Sequence, residues 1–350
     1  MAMADRRDRS DPADLSISEA VNRWLRRKRG SLADATVREY GYRLERFREF
    51  CDQAGIERVG ELHPLDFDDY LAYREQLGVQ PITMKKHFTS IADFIGYLED
   101  LGAVGEGLSD AIPDVSVPEG GAVDDVMLEP ADGDALIGHY RSSDVDYGSR
   151  QHAILEVLWF VGCRLGALRG LDLGDFDPQD PSLAFVHRAD TDTPLKKAVS
   201  GERTVAIPQP SADAIDAYVD DTRYERRDDY GRQPLITSTH GRPSPNTLRN
   251  WTYLATVPCT RGPCPHDKTP DACEYLETTT ASGCPSSRSP NQVRSGAVTR
   301  MLHRTDKERV KYRAKTTQWE HYDHATKRQK MEHRDREVLA DIELEGGDDA

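Results

Sequence analysis

Apolar residues recur with helical spacing through the first third of the chain. Val37, Tyr40, Leu44, Phe47 and Cys51 step by 3, 4, 3 and 4, which draws one stripe on a helix, with Asp34 ahead of it as a cap and Gly55 behind it as a stop. Met84, Phe88, Ile91, Phe94, Leu98 and Leu101 form a second stripe that opens at Pro81 and stops at Gly102. Pro64 sits where a first helical turn tolerates proline. Together with a first helix near 17–29, these give a four-helix unit over 15–103, preceded by a charged tail at 1–14. The segment 104–128 is rich in Gly, Pro, Asp and Val without helical period, the composition of a linker. Helical patterns resume at 129–140 and 149–161. Two short alternating runs, 183–187 and 203–208, then predict a β-hairpin with a long polar loop. Helices return over 211–222, near 245–255 and from 289 onwards. The expected fold is mainly α with a small hairpin or sheet.

With 350 residues, 37% of them hydrophobic, the chain is long enough for two domains with separate cores. No uninterrupted apolar run approaches the ~20 residues of a membrane helix, and the charged start lacks the apolar centre of a secretory signal, so a cytoplasmic protein with no membrane partner is expected. The net charge is −15, from 39 Asp and 22 Glu against 35 Arg and 11 Lys. Asp above Glu and Arg far above Lys give a surface of short, strongly hydrated carboxylates, which resembles a protein of a salt-in halophile. An ordinary acidic protein is the alternative. Taken globally the sign argues against a nucleic-acid partner. Locally it does not: 285–336 holds 14 Lys or Arg against 6 Asp or Glu, while an acidic tail at 337–350 holds six acids and no base. Arg38, Arg43, Lys85 and Lys86 also dot the polar faces of the helical unit as candidate DNA contacts.

Three separated pieces carry candidate chemistry. The first is Gly162-Cys163-Arg164, where an apolar helix ends and an arginine opens the next. The second is Leu195-Lys196-Lys197 in the hairpin loop, ahead of Gly201-Glu202-Arg203. The third is Asn291-Gln292-Val293-Arg294, followed 28 residues after Arg294 by His321-Tyr322-Asp323. Each is weak alone. Their order and spacing, with the four-helix unit before them, resemble the tyrosine recombinase or phage integrase family, most closely its haloarchaeal members, over roughly 15–336.

That resemblance implies a helical, SAM-like core-binding domain at 15–103 and a mixed α+β catalytic domain at 129–336. It implies a site-specific recombinase that cleaves and rejoins double-stranded DNA through a 3′-phosphotyrosyl link, for integration or excision of a mobile element or virus. Four copies would assemble on two sites, with DNA clamped between the domains. Arg164 and Arg294 would meet the charge on the non-bridging oxygens, Lys196 would protonate the departing 5′ oxygen, and Tyr322 would attack, with Tyr312 its rival. Lys197 would contact DNA. No metal or nucleotide is needed for that step. Two departures stand out. Asn291 occupies the place of the family's His three residues before the second Arg, and it can donate a hydrogen bond but not shuttle a proton. The family's His or Trp before the nucleophile is missing, and Lys315 is the nearest counterpart. A degenerate relative that binds DNA without cutting it is therefore the alternative reading.

Four of the six cysteines, Cys259, Cys264, Cys273 and Cys284, fall in a Gly/Pro/Thr-rich insertion over 257–286 with little apolar content. A structural zinc held by four thiolates would order such a loop; free thiols or a redox pair are the alternatives. A zinc-centred regulator uses only this cluster and leaves the Arg, Lys and Tyr set unexplained. Cys51 and Cys163 fall on apolar positions and read as core.

Overall fold

The computed structural model describes residues 11–118 and 126–316, which divide into two compact units between Asp124 and Asp125. The first contains α1 (Ile17–Arg29), α2 (Asp34–Ala54), α3 (Pro64–Gln76) and α4 (Pro81–Asp100). Ser16 and Glu19 close a capping box at the start of α1, satisfying two amides that the helix leaves open. At α2 the cap position belongs to Ala33, and Asp34 stands inside the first turn, where its carboxylate faces the positive pole of the helix. The stripes meet in one core: Trp24 lies edge-on to Phe94 at 6.0 Å, and Phe47 stacks on Phe67 at 5.9 Å.

The segment with linker composition contributes to this core. Leu108 and Val115 are buried in it, and the carboxylate of Glu99 accepts from the Ser109 amide at 2.7 Å and its hydroxyl at 2.9 Å. Apolar residues on an irregular segment bury as well as those on a helix. Only their lack of period hides them from pattern reading.

The second unit begins with α5 (Pro130–Ser142), α6 (Arg150–Val161) and α7 (Leu165–Gly170). A three-stranded antiparallel sheet follows in the order β1 (Phe176–Asp177), β2 (Ser182–Phe185), β3 (Arg203–Ala206), with Leu183 opposite Val205 and Phe185 opposite Arg203. The two residues of β1 are too short to show alternation, which is why the sequence reveals only the hairpin. Then come α8 (Gln209–Ala217), continued by a wide turn Tyr218–Thr222, α9 (Pro245–Ala255), α10 (Pro290–Leu302) and α11 (Lys307–Ala314).

Helix α6 is the axis of this unit. It is apolar all round and almost wholly buried, and α5, α8, α9 and α10 pack against it. Its one carboxylate, Glu156, receives two bonds from Arg141 at 2.8 and 3.0 Å, one from Ser211 at 2.7 Å, and faces His152 Nε2 at 3.1 Å. Burial alone would raise the pKa of this carboxyl. The bonds from His152, Arg141 and Ser211 outweigh burial and hold it below its ordinary range. At Gly296, α10 passes so close to the incoming chain that a Cβ would stand 1.8 Å from the Leu128 carbonyl oxygen.

Candidate functional site

Gly162 ends α6 in the left-handed conformation, φ 64°, and turns the chain so that Arg164 becomes the residue before α7. Arg294 projects from the middle of α10 and is 1% exposed. Arg203 opens β3, buried, with its guanidinium 4.2 Å above the Phe185 ring. These arginines come from distant parts of the sequence, yet all reach the C-terminal end of α11. Arg203 Nε donates to the Arg313 carbonyl at 2.8 Å, Arg294 Nη1 to the Ala314 carbonyl at 2.8 Å, and Arg164 Nη1 to the Lys315 carbonyl at 2.9 Å. Arg294 also donates to the Gly162 carbonyl.

The physical reason lies in the helix. Its last carbonyls have no intrahelical partner and form the negative pole, so three successive ones attract three guanidiniums. The arrangement gathers positive charge at one place and fixes the end of α11 to it.

An open cavity of about 250 Å³ lies beside this cluster, lined by Arg164, Lys196, Lys197, Arg203 and Lys315 together with small and apolar residues. Among the described residues that line it there is no carboxylate. Lys196 is exposed and Lys197 half-buried. Burial, and then the charges of Arg164, Lys315, Lys311 and Arg294, pull the Lys197 ammonium below its ordinary pKa. Lys315 takes a left-handed backbone, φ 48°, and its Nζ donates to the Ser200 carbonyl at 3.0 Å, bridging α11 to the hairpin loop. Burial also lowers Arg203, to about 10, which leaves it charged at neutral pH.

Behind the cavity a network of charges holds the hairpin loop. Asp172, just after α7, accepts from Arg242 at 2.5 Å and Arg232 at 2.8 Å. Arg232 in turn donates to the hydroxyls of Thr191 at 2.6 Å and Thr193 at 2.7 Å, and Arg188 pairs with Asp175 at 2.6 Å. The strand-connecting loop that carries both lysines is thereby tied to the helix that Arg164 opens.

The structure thus brings together Arg164, Arg294, Lys196, Lys197 and Lys315. Asn291 lies exposed in the first turn of α10, one turn before Arg294, and does not line the cavity. Tyr322 lies outside the described residues. Its rival Tyr312 is on α11, half exposed, with its hydroxyl donating to the Thr204 carbonyl at 3.1 Å. Arg203 is a site residue that the motif reading passed over. The signal was present in Gly201-Glu202-Arg203, but sequence alone does not tell a buried strand arginine from a solvated one.

In the helical unit, Arg38 and Lys86 are exposed, Lys85 stands 3.7 Å from Asp114, and Arg43 donates to Ser90 at 3.2 Å while pairing with Glu39 at 3.0 Å. The structure does not support the zinc expectation. Cys259, Cys264, Cys273 and Cys284 form no disulfide, and although the other three thiols lie near Cys259, among the described residues no group of three or more His, Cys, Asp or Glu is arranged to take a metal ion. Ala281, Cys284 and Ser287 are instead buried, and the Ser287 hydroxyl donates to the Ala281 carbonyl at 2.8 Å, so backbone bonds and a few apolar contacts order this end of the insertion. Cys51 and Cys163 are fully buried, as core residues are. No helix among the described residues is long and apolar enough to cross a membrane.

No family model matches the sequence. Among curated proteins it is 25% identical over 205 residues to tyrosine recombinase XerD of Mycobacterium tuberculosis, covering 55% of this chain and 60% of that protein. It is 30% identical over 152 residues to tyrosine recombinase XerD of Pseudomonas aeruginosa, covering 43% of this chain and 48% of that one. The matches therefore span between about half and three-fifths of these relatives' length. Among solved structures, the Tn1549 transposon integrase in complex with a circular intermediate DNA superposes with a TM-score of 0.62 at 15% identity, over 92% of this chain and 100% of that one. The lambda integrase tetramer bound to a Holliday junction gives 0.60 at 11% identity, over 93% and 85%.

Proposed function

We propose that this chain, which has the tyrosine-recombinase fold and sequence relatives of that name, breaks and rejoins double-stranded DNA at specific sites through a 3′-phosphotyrosyl intermediate. The observation that carries this reading is one cavity where Arg164, Arg203, Lys196, Lys197 and Lys315 meet with no carboxylate among the described lining residues, and with Arg294 beside it. A phosphodiester passing through a pentavalent state gains negative charge on its non-bridging oxygens. Guanidiniums held in place by helix carbonyls stabilise that charge with little reorganisation.

In this reading the Tyr322 hydroxyl gives its proton to solvent as its oxygen attacks phosphorus, the bond to the 5′ oxygen breaks, and that oxygen takes a proton from a lysine ammonium. The hydroxyl of another strand later reverses the step. Lys197, rather than the exposed Lys196, is the better placed acid, because its half-buried, cation-crowded ammonium releases a proton more readily. Lys315 holds a phosphate oxygen, and Arg294 and Arg164 clamp the others. Tyr322 follows Lys315 by seven residues, so an extended connection of at most about 25 Å limits where its oxygen can act. Asn291 supplies at most a hydrogen bond from the first turn of α10. Arg38 and Lys86, with Arg43 and Lys85, add phosphate contacts from the helical unit. Assembly of four copies on two DNA sites, exchange of a mobile element and action in the cytoplasm follow from this reading.

The test is a duplex pool nicked just beyond each candidate cleavage point, so that cleavage releases a short strand and traps the intermediate. A denaturation-resistant protein–DNA adduct, absent in Tyr322→Phe, is expected. Tight binding to a duplex with no adduct formed would leave only the DNA-binding reading.

A further inference from the structure

A second cavity, of about 300 Å³, opens next to the first. Lys197 and Lys315 line both, and so form the wall between them. Its other sides carry Lys311, Tyr312, Glu308 and Thr316. Three ammoniums face one carboxylate there. Glu308 is largely exposed and pairs with Lys311 at 3.2 Å, so the cavity keeps a net positive charge. The Lys315 ammonium lies 5.7 Å from the centre of the Tyr312 ring, which orients it across the opening.

Thr316 supplies an independent sign of a ligand. It is 1% exposed, and its hydroxyl has no hydrogen-bond partner among the described residues. A buried hydroxyl left unsatisfied costs about 1–3 kcal/mol. A donor in a cationic cavity meets that cost when an oxyanion accepts from it.

We propose that this second cavity binds the phosphate adjacent to the scissile one on the cleaved DNA strand, with Lys311 and Thr316 as its own contacts and Lys197 and Lys315 shared. The inference rests on the recombinase reading of the first cavity. The ligand is a backbone phosphodiester rather than a free anion because the two cavities share a wall. A single phosphate fills one of them, whereas a strand, whose phosphates follow each other at about 3.4 Å of axial rise, occupies both at once. The two cavities differ in their groups: the first adds the guanidiniums of Arg164 and Arg203 to its ammoniums, whereas the second carries ammoniums, hydroxyls and the Glu308 carboxylate. A strand entering them is therefore read in one polarity, which places the 5′ oxygen on a fixed side of phosphorus.

The experiment uses the full chain and duplexes recovered as covalent adducts from a random-sequence pool. Each is resynthesised with one neutral methylphosphonate at a chosen linkage near the scissile phosphate. In the wild type, neutralising the adjacent linkage should slow adduct formation about 10-fold or more, and linkages two or more away much less. Lys311→Ala and the near-isosteric Thr316→Val should each slow adduct formation on the all-phosphate duplex. On the duplex neutral at the adjacent linkage they should cost less than about 2-fold further, because the contact is already gone. Fully additive losses in both variants would overturn the proposal. So would an effect of added inorganic phosphate that depends on Lys311 while the neutral linkage has none, which would mark a free-anion site. Failure of the wild type to form any adduct would refute the recombinase reading and this one with it, whereas adducts with additive losses overturn this one alone.

Discussion

Replacing Arg203 with alanine tests whether the arginines fasten the end of α11 to the site. The guanidinium donates to the Arg313 carbonyl at 2.8 Å and to the Gly201 carbonyl at 3.0 Å, and it rests 4.2 Å from the Phe185 ring. Hydrogen bonds from a charged group contribute about 1.5–3 kcal/mol each, and a partly buried cation–π contact about 1–2 kcal/mol. Against this gain stands the cost of keeping the guanidinium 9% exposed, which is visible in its lowered pKa. A net loss of about 3 kcal/mol is expected. In a unit of this size that corresponds to a drop in Tm of roughly 6–12 °C. Denaturant titration at constant m, followed by the far-ultraviolet signal, reads the loss directly. Adduct formation should fall further than unfolding explains when assayed well below the transition, because the carbonyl of Arg313 then loses its anchor beside the cavity. A stability change under about 1 kcal/mol, or full adduct formation by a folded variant, would refute the argument that Arg203 ties hairpin, helix end and site together.

Gly296→Ala should cost about 3 kcal/mol or more, because the new Cβ meets backbone at Leu128 rather than a movable side chain, and a urea midpoint within error of wild type would contradict this. His87 is 3% exposed, and burial, followed by the charges of Arg74, Arg43 and Arg46, lowers its pKa to about 4. The fold keeps it neutral while the unfolded chain protonates it below about 6.5, so its contribution is intact above that pH and lost progressively as pH falls towards 4. His87→Gln should flatten the stability profile of the helical unit across that window by roughly 2 kcal/mol, and an unchanged slope between pH 6.5 and 4 would show that His87 is not the group titrating. If the surface of 61 acids is adapted to concentrated salt, adduct formation should peak in molar KCl, and an optimum in dilute buffer would remove the halophilic interpretation.

The helical unit was legible because its information is periodic. Stripes such as Val37 to Cys51 and Met84 to Leu101 place apolar residues on one face, and capping residues mark their ends. Leu108 and Val115 escaped because an irregular segment has no period to detect, and β1 because two residues cannot alternate. At the site, residue type and order singled out Arg164, Arg294 and the Lys196-Lys197 pair. Burial and neighbouring charge set the two lysines apart, which adjacent positions in a loop do not reveal. The cysteine spacing pointed to a metal, and the fold does bring Cys264, Cys273 and Cys284 near Cys259, but among the described residues they form no group arranged to take an ion.

The sequence by itself determined which elements form and which cations are available, since both depend on local chemistry: side-chain period, caps, and groups that stay charged. Tertiary structure decided what those cations do. Arg164, Arg203 and Arg294 converge only because three open carbonyls at the end of α11 attract them, and those carbonyls lie more than a hundred residues from two of the three donors. Convergence of that kind arises from packing around α6 and from the polarity of a helix end, neither of which is written at any one position in the chain.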